Sequence, residues 1–122
     1  MITELKDDEI FVFGSNIKGE HLGGAARQAF EVFRAEWDLG EGLTGQCYAF
    51  PTLNTDMQRY THEEMISIRA AFYRCCNAHQ DLTFLLTPVG TGIAGYSPEY
   101  VENLFNNLPT NVKKVGWRLR KR

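Results

Sequence analysis

Ile10-Phe11-Val12-Phe13-Gly14-Ser15-Asn16 sets four large apolar residues in a row and then stops at a glycine. A short strand buried on both faces reads this way, because neither set of alternating side chains meets water. Gly14-Ser15-Asn16 then turns the chain. A second glycine pair, Gly23-Gly24, opens into Ala25-Ala26-Arg27-Gln28-Ala29-Phe30, a run with helical spacing. A strand, a Gly-rich loop and a helix that begins on bare backbone make a place for an anion, since the first N–H groups of the helix have no partner within it. A second loop of this kind is Thr87-Pro88-Val89-Gly90-Thr91-Gly92-Ile93-Ala94-Gly95-Tyr96. The two loops are expected to meet over one phosphate-bearing ligand.

Working outward, the first helix is expected at Gly24–Asp38, with Ala26, Phe30, Phe33 and Trp37 on one face. Gly40, Gly42 and Gly45 then leave a loop over 39–46. Cys47-Tyr48-Ala49-Phe50 reads as a strand ended by Pro51, followed by a polar loop through Tyr60. The second helix carries a capping box, Thr61 with Glu64, and a stripe of Met65, Ile68, Phe72 and Cys75 or Cys76. Leu82–Leu86 is a third buried strand. Ser97 caps a third helix with Pro98 at its first position, and Val101, Leu104, Phe105 and Leu108 form its stripe until Pro109. Val112–Leu119 alternates as a last strand, and Ile2–Leu5 is a candidate short edge strand. Strands alternating with helices imply an α/β fold with a mostly parallel sheet, and ligands of such sheets sit beyond the carboxyl ends of the strands. Both Gly-rich loops leave that rim.

Composition narrows the function. The 122 residues suit one domain, spanning 1–122. A net charge of −2 makes nucleic acid an unexpected partner, although Arg118–Arg122 carries four basic residues in five. An RNA-contacting module that uses this tail is the alternative from another class. Cys47, Cys75 and Cys76 form no spaced framework, which suits a reducing, cytoplasmic setting. No signal peptide and no membrane span are expected, since Met1 is followed by a charged segment and no apolar run nears ~20 residues.

The motifs resemble the macro domain family, and more closely a compact macro-like branch of bacteria and phages. Phe13-Gly14-Ser15-Asn16, Gly23-Gly24-Ala25-Ala26, Gly45-Gln46-Cys47-Tyr48-Ala49-Phe50-Pro51-Thr52 and Gly90-Thr91-Gly92-Ile93-Ala94-Gly95-Tyr96 carry the resemblance, over residues 10 to about 105. It implies a three-layer α/β/α module that binds ADP-ribose or a related NAD-derived nucleotide, and in some members hydrolyses ADP-ribose linkages. By this similarity Asn16 matches the contact to the distal ribose. Gly23, Gly24 and Ala25 match the loop along that ribose and the diphosphate. Gly90 through Tyr96 match the loop that wraps the diphosphate, with Tyr96 packing on the distal ribose. Gly14, Ser15 and Thr87 complete the candidate ligand-binding set. The chain departs from the family at Ala25, where many members have a third glycine, and no acidic residue matches the one that reads adenine.

The residues themselves leave alternatives open. Asn16 suits a ribose hydroxyl pair or a turn. His21 is a loop histidine, either solvated or an acid or base near the cleft. Glu20 and Glu41 are the carboxylates expected nearest the cleft, where one would activate a water. Asn16, His21 and Glu20 are thus the catalytic candidates, should there be turnover. Cys47 reads as core. No metal site and no cofactor are expected. A homo-oligomer would announce itself by exposed Trp or Phe on an outer helix.

Overall fold

A computed structural model describes residues 2–117. The basic tail Arg118–Arg122 lies outside the described residues. The chain forms a mixed α/β fold: β1 (Glu9–Asn16), α1 (Gly24–Val32), β2 (Gly42–Thr44), β3 (Cys47–Leu53), α2 (His62–Ala78), β4 (Thr83–Leu86), α3 (Pro98–Leu104) and β5 (Val112–Lys114). Sheet order is β2-β3-β1-β4-β5, with β1 parallel to both β3 and β4, and β5 parallel to β4. Only β2 runs antiparallel, against β3.

β1 is the central strand, and its alternation divides the core. Ile10 and Val12 pack with Phe50, Met65, Phe72, Phe84, Leu86, Val101 and Phe105. Phe11 and Phe13 pack with Ala29, Phe33, Ala35, Cys47 and Ala49. Each apolar residue of the strand is therefore removed from water, and the unbroken apolar run follows. The helix starts also follow the sequence. Thr61 Oγ1 accepts from Glu64 N–H while Glu64 Oε1 accepts from Thr61 N–H, which closes the capping box of α2. Ser97 Oγ accepts from Tyr100 N–H at the start of α3. Cys76, with Met65 and Phe72, fills the buried stripe of α2.

Several expectations are corrected. β1 runs through Asn16, so Gly14-Ser15-Asn16 lies in the strand rather than turning the chain, and α3 ends at Leu104, short of Leu108 and Pro109. α1 stops at Val32, not Asp38, because Arg34 takes a left-handed backbone (φ 66°) and Ala35 N–H returns to Ala29 O. Trp37 therefore lies off the helix and half-exposed, against Phe30 at 5.3 Å. The 39–46 loop contains β2, which exists through its ladder with Tyr48 and its neighbours. Pro51 does not end β3. β2 pairs only as far as Ala49, so beyond it β3 has one free edge where a residue without N–H costs no ladder bond. Ile2–Leu5 is not a strand, and β5 ends at Lys114, while Leu119 lies outside the described residues.

Two packing features fix the loop that follows β4. A Cβ built on Gly14 would sit 3.1 Å from Gly90 N and 3.5 Å from Val89 Cα. The loop therefore lies directly on the bare backbone of β1. Tyr96 straps it from below: its hydroxyl donates to Thr52 O at 2.9 Å and accepts from Tyr60 N–H at 2.9 Å.

Gly14→Val is expected to destabilise the protein by about 1–3 kcal/mol through overpacking, a fall in Tm of roughly 4–12 °C for a chain of this size. A melting curve matching wild type would contradict the close approach. Tyr96→Phe leaves a buried carbonyl and an N–H without their shared partner and is expected to cost about 1–3 kcal/mol, readable in urea unfolding as a lower midpoint with an unchanged slope.

Candidate functional site

β1 and β4 run parallel as neighbours, so Asn16 and Leu86 end on the same rim. The loops leaving them converge. They line one cavity of about 480 Å³ with Gly14, Ser15 and Asn16 from the end of β1, and Glu20, Leu22, Gly23, Gly24, Ala25 and Ala26 from the first loop and the start of α1. Thr87 through Ala94 form the opposite wall, and Thr52, Leu53 and Met57 close the side at the end of β3. The volume falls in the range of small-molecule sites. Sequence reading missed the contribution of β3, though a strand parallel to β1 must end on the same rim.

The donors are backbone groups. Gly23 precedes α1 in an extended conformation with no side-chain cap, so the first N–H groups of the helix are left to other partners. In the second loop, internal hydrogen bonds use the N–H groups of Val89, Thr91, Gly95 and Tyr96, and none uses that of Gly92, Ile93 or Ala94. Gly90 and Gly95 sit at positive φ (82° and 78°), and a Cβ on Gly90 would meet the Tyr96 ring at 2.9 Å.

Most polar side chains in the wall are already engaged. Ser15 Oγ donates to Gly40 O. Thr52 Oγ1 donates to Ser15 O at 3.1 Å, Thr87 Oγ1 to Val12 O at 2.6 Å and Thr91 Oγ1 to Pro88 O at 2.8 Å. Asn16 is 8% exposed and clamps the turn after β1: its Nδ2 donates to Glu20 O at 2.8 Å and its Oδ1 accepts from Glu20 N–H at 3.1 Å. Its backbone is not left-handed, so the amide does its work through the side chain.

The other candidates separate. Glu20 lines the cavity, and its carboxylate makes no hydrogen bond or ion pair among the described residues. His21 does not line it. Its ring is 2% exposed, edge-on to Phe13 at 5.3 Å and Trp37 at 5.9 Å, with Nε2 donating to Glu36 O at 2.8 Å. Nδ1 is buried without a partner. Glu41 is exposed and also stands outside the cavity wall. Gly95 and Tyr96 belong instead to a second, shallower hollow with Arg59, Tyr60, His62, Ser97 and Tyr100. Tyr96 is buried beneath the loop, stacked on Tyr100 at 5.8 Å, rather than facing the main cavity.

Burial pushes the Cys47 thiol up to about 12 against a lesser opposing effect of Arg34, so it stays protonated at neutral pH and is no nucleophile. Among the described residues, no group of three His, Cys, Asp or Glu side chains converges as a metal site, and no helix is long and apolar enough to cross a membrane. Comparison of the chain with protein-family models, with curated proteins and with solved structures gives no match.

Proposed function

We propose that this chain is a macro-like, three-layer α/β/α module that binds ADP-ribose or a related NAD-derived nucleotide in the cytoplasm. One observation carries the proposal: two Gly-rich loops and the start of α1, remote in sequence, line a single cavity. A diphosphate needs several donors that converge without steric cost. Bare N–H groups supply them, and the positive end of a helix adds to the attraction. The apolar residues Leu22, Met57 and Ile93 lie in the same wall, 65%, 43% and 89% exposed, and offer cover to a base or sugar. Capture without turnover is the favoured mode. Hydrolysis needs an activated water, and among the described residues the wall holds a single carboxylic side chain, Glu20, with His21 sealed among aromatic rings.

Gly92 is the position for a decisive substitution. Its backbone is not left-handed and a Cβ there would meet nothing within 4 Å, so a side chain fits without strain. Gly92→Glu is expected to weaken ADP-ribose binding at least about tenfold, a loss of about 1.4 kcal/mol, because a carboxylate then stands where phosphate belongs. Tm should move by less than about 4 °C. Calorimetric titration of both proteins with ADP-ribose, followed by chromatography of the ligand after long incubation, makes the test. Equal affinities in two folded proteins would refute the two-loop site. Ribose products in the wild-type mixture would replace capture with hydrolysis.

A further inference from the structure

The second hollow, of about 510 Å³, shares no lining residue with the main cavity. Among the described residues no Asp or Glu lines it, and Arg59 is its one permanent charge. That guanidinium is held in place. Its Nη1 donates to Gly95 O at 3.2 Å, and its carbon lies 5.9 Å from the centre of the Tyr96 ring. Tyr96 is itself anchored through Thr52 O and Tyr60 N–H, so the cation rests on a fixed ring. Among the described residues no carboxylate lies within ion-pair distance of Arg59.

The other head groups in the hollow also have donors to spare. His62 stands edge-on to Tyr100 at 5.6 Å with Nδ1 2.8 Å from the Tyr100 hydroxyl, and Nε2 has no partner among the described residues. When Tyr100 O–H donates to Nδ1, Nε2 carries the ring proton and donates outward. Ser97 Oγ accepts from Tyr100 N–H and keeps its own proton for another acceptor. These donors are side chains, since the caps at Thr61 and Ser97 already take the N–H groups of Glu64 and Tyr100. Glu64, whose charge reaches Tyr60 and Tyr96, is committed to Thr61 N–H in the capping box.

A guanidinium stays charged at any ordinary pH and offers five N–H groups, of which one goes to Gly95 O. An oriented cation without a carboxylate, set in a concavity with further donors, suits an oxyanion. A carboxylate has two oxygens in one plane. Phosphate has three or more around a tetrahedron and can meet Arg59, His62 and Ser97 from different directions. We infer that this hollow is a second anion site, which takes phosphate, free or as a phosphomonoester, on Arg59, with His62 and Ser97 as further donors. The inference goes beyond the nucleotide reading and does not depend on it.

The test is a titration of isotope-labelled protein with inorganic phosphate, with phenyl phosphate and with acetate, at one low ionic strength, followed by backbone amide shifts. Phosphate is expected to move Tyr60, Ser97 and Tyr100 together and saturably, with acetate distinctly weaker. Phenyl phosphate that binds more tightly than the free ion assigns a phosphomonoester; equal or weaker binding assigns the ion. Arg59→Ala should weaken phosphate about tenfold or more, and Arg59→Lys, which keeps the charge without the fork, should fall between. His62→Ala leaves the bond from Arg59 to Gly95 O in place and should cost about threefold or more. Gly92→Glu puts a carboxylate in the main cavity and should leave phosphate binding in the hollow as in wild type, so the two sites are read separately. Absence of saturable shifts at Tyr60, Ser97 and Tyr100 overturns the site, as does acetate binding as well as phosphate. Wild-type affinity in Arg59→Ala and Arg59→Lys, with melting curves showing both folded, does the same. Shifts confined to residues 23–26 and 90–94 overturn it too, and return the anion to the main cavity.

Discussion

A missing side chain at Gly14 lets two segments of backbone touch. With the Cβ position only 3.1 Å from Gly90 N, the loop after β4 lies against the end of β1 with nothing between them. That contact decides where the second wall of the cavity stands. The Tyr96 hydroxyl fixes the same loop from the other side by joining Thr52 O and Tyr60 N–H, and Thr87 ties its start to Val12 O. β3 enters the same arrangement, because Thr52 reaches Ser15 O while its own carbonyl serves Tyr96. Three parallel strand ends are thereby stitched together by hydrogen bonds between side chain and main chain.

This stitching explains the chemistry of the wall. Hydroxyl and amide groups that would ordinarily be read as ligand contacts are consumed in holding the loops. What remains unengaged in the wall is main-chain N–H of the second loop, apolar surface and the Glu20 side chain, among the described residues. Walls made this way are held in place, because the loop is bonded on either side of Gly92–Ala94 through Thr91, Gly95 and Tyr96. Such preorganisation limits the ordering cost that binding would otherwise pay.

Much of this was legible in the sequence, and the remainder was hidden for definite reasons. β1 announced itself because both of its faces are buried. α2 and α3 did so through Thr61, Glu64, Ser97 and Pro98, whose effects act within one turn. The end of α1 was not legible, since it depends on left-handed Arg34, a residue with no local preference for that conformation. β2 was not legible because its three residues are a strand only by virtue of pairing with β3. At the site, the glycines marked both loops correctly as neighbours of one cavity. The commitments of Asn16, Ser15 and Tyr96 could not be read, because their partners lie at Glu20, Gly40 and Thr52 and are chosen by the folded chain. His21 looked like a loop residue in water, and only the fold brings Phe13 and Trp37 around it.

Pro51 bears on how copies of this protein behave toward one another. A sheet invites foreign strands wherever a straight edge offers N–H and C=O groups in register. On one border β2 pairs with β3 only as far as Ala49; past it Pro51 lacks a donor, while Tyr96 and Arg59 engage Thr52 and Leu53. The opposite edge, β5, is three residues long and carries exposed Lys113 and Lys114. Both borders of the sheet are thus poor templates: β2 and β5 are each three residues long, with Pro51 beyond the end of β2 and two lysines on β5 adding to that. The fold holds a strongly apolar central strand in a sheet whose margins discourage growth into aggregates.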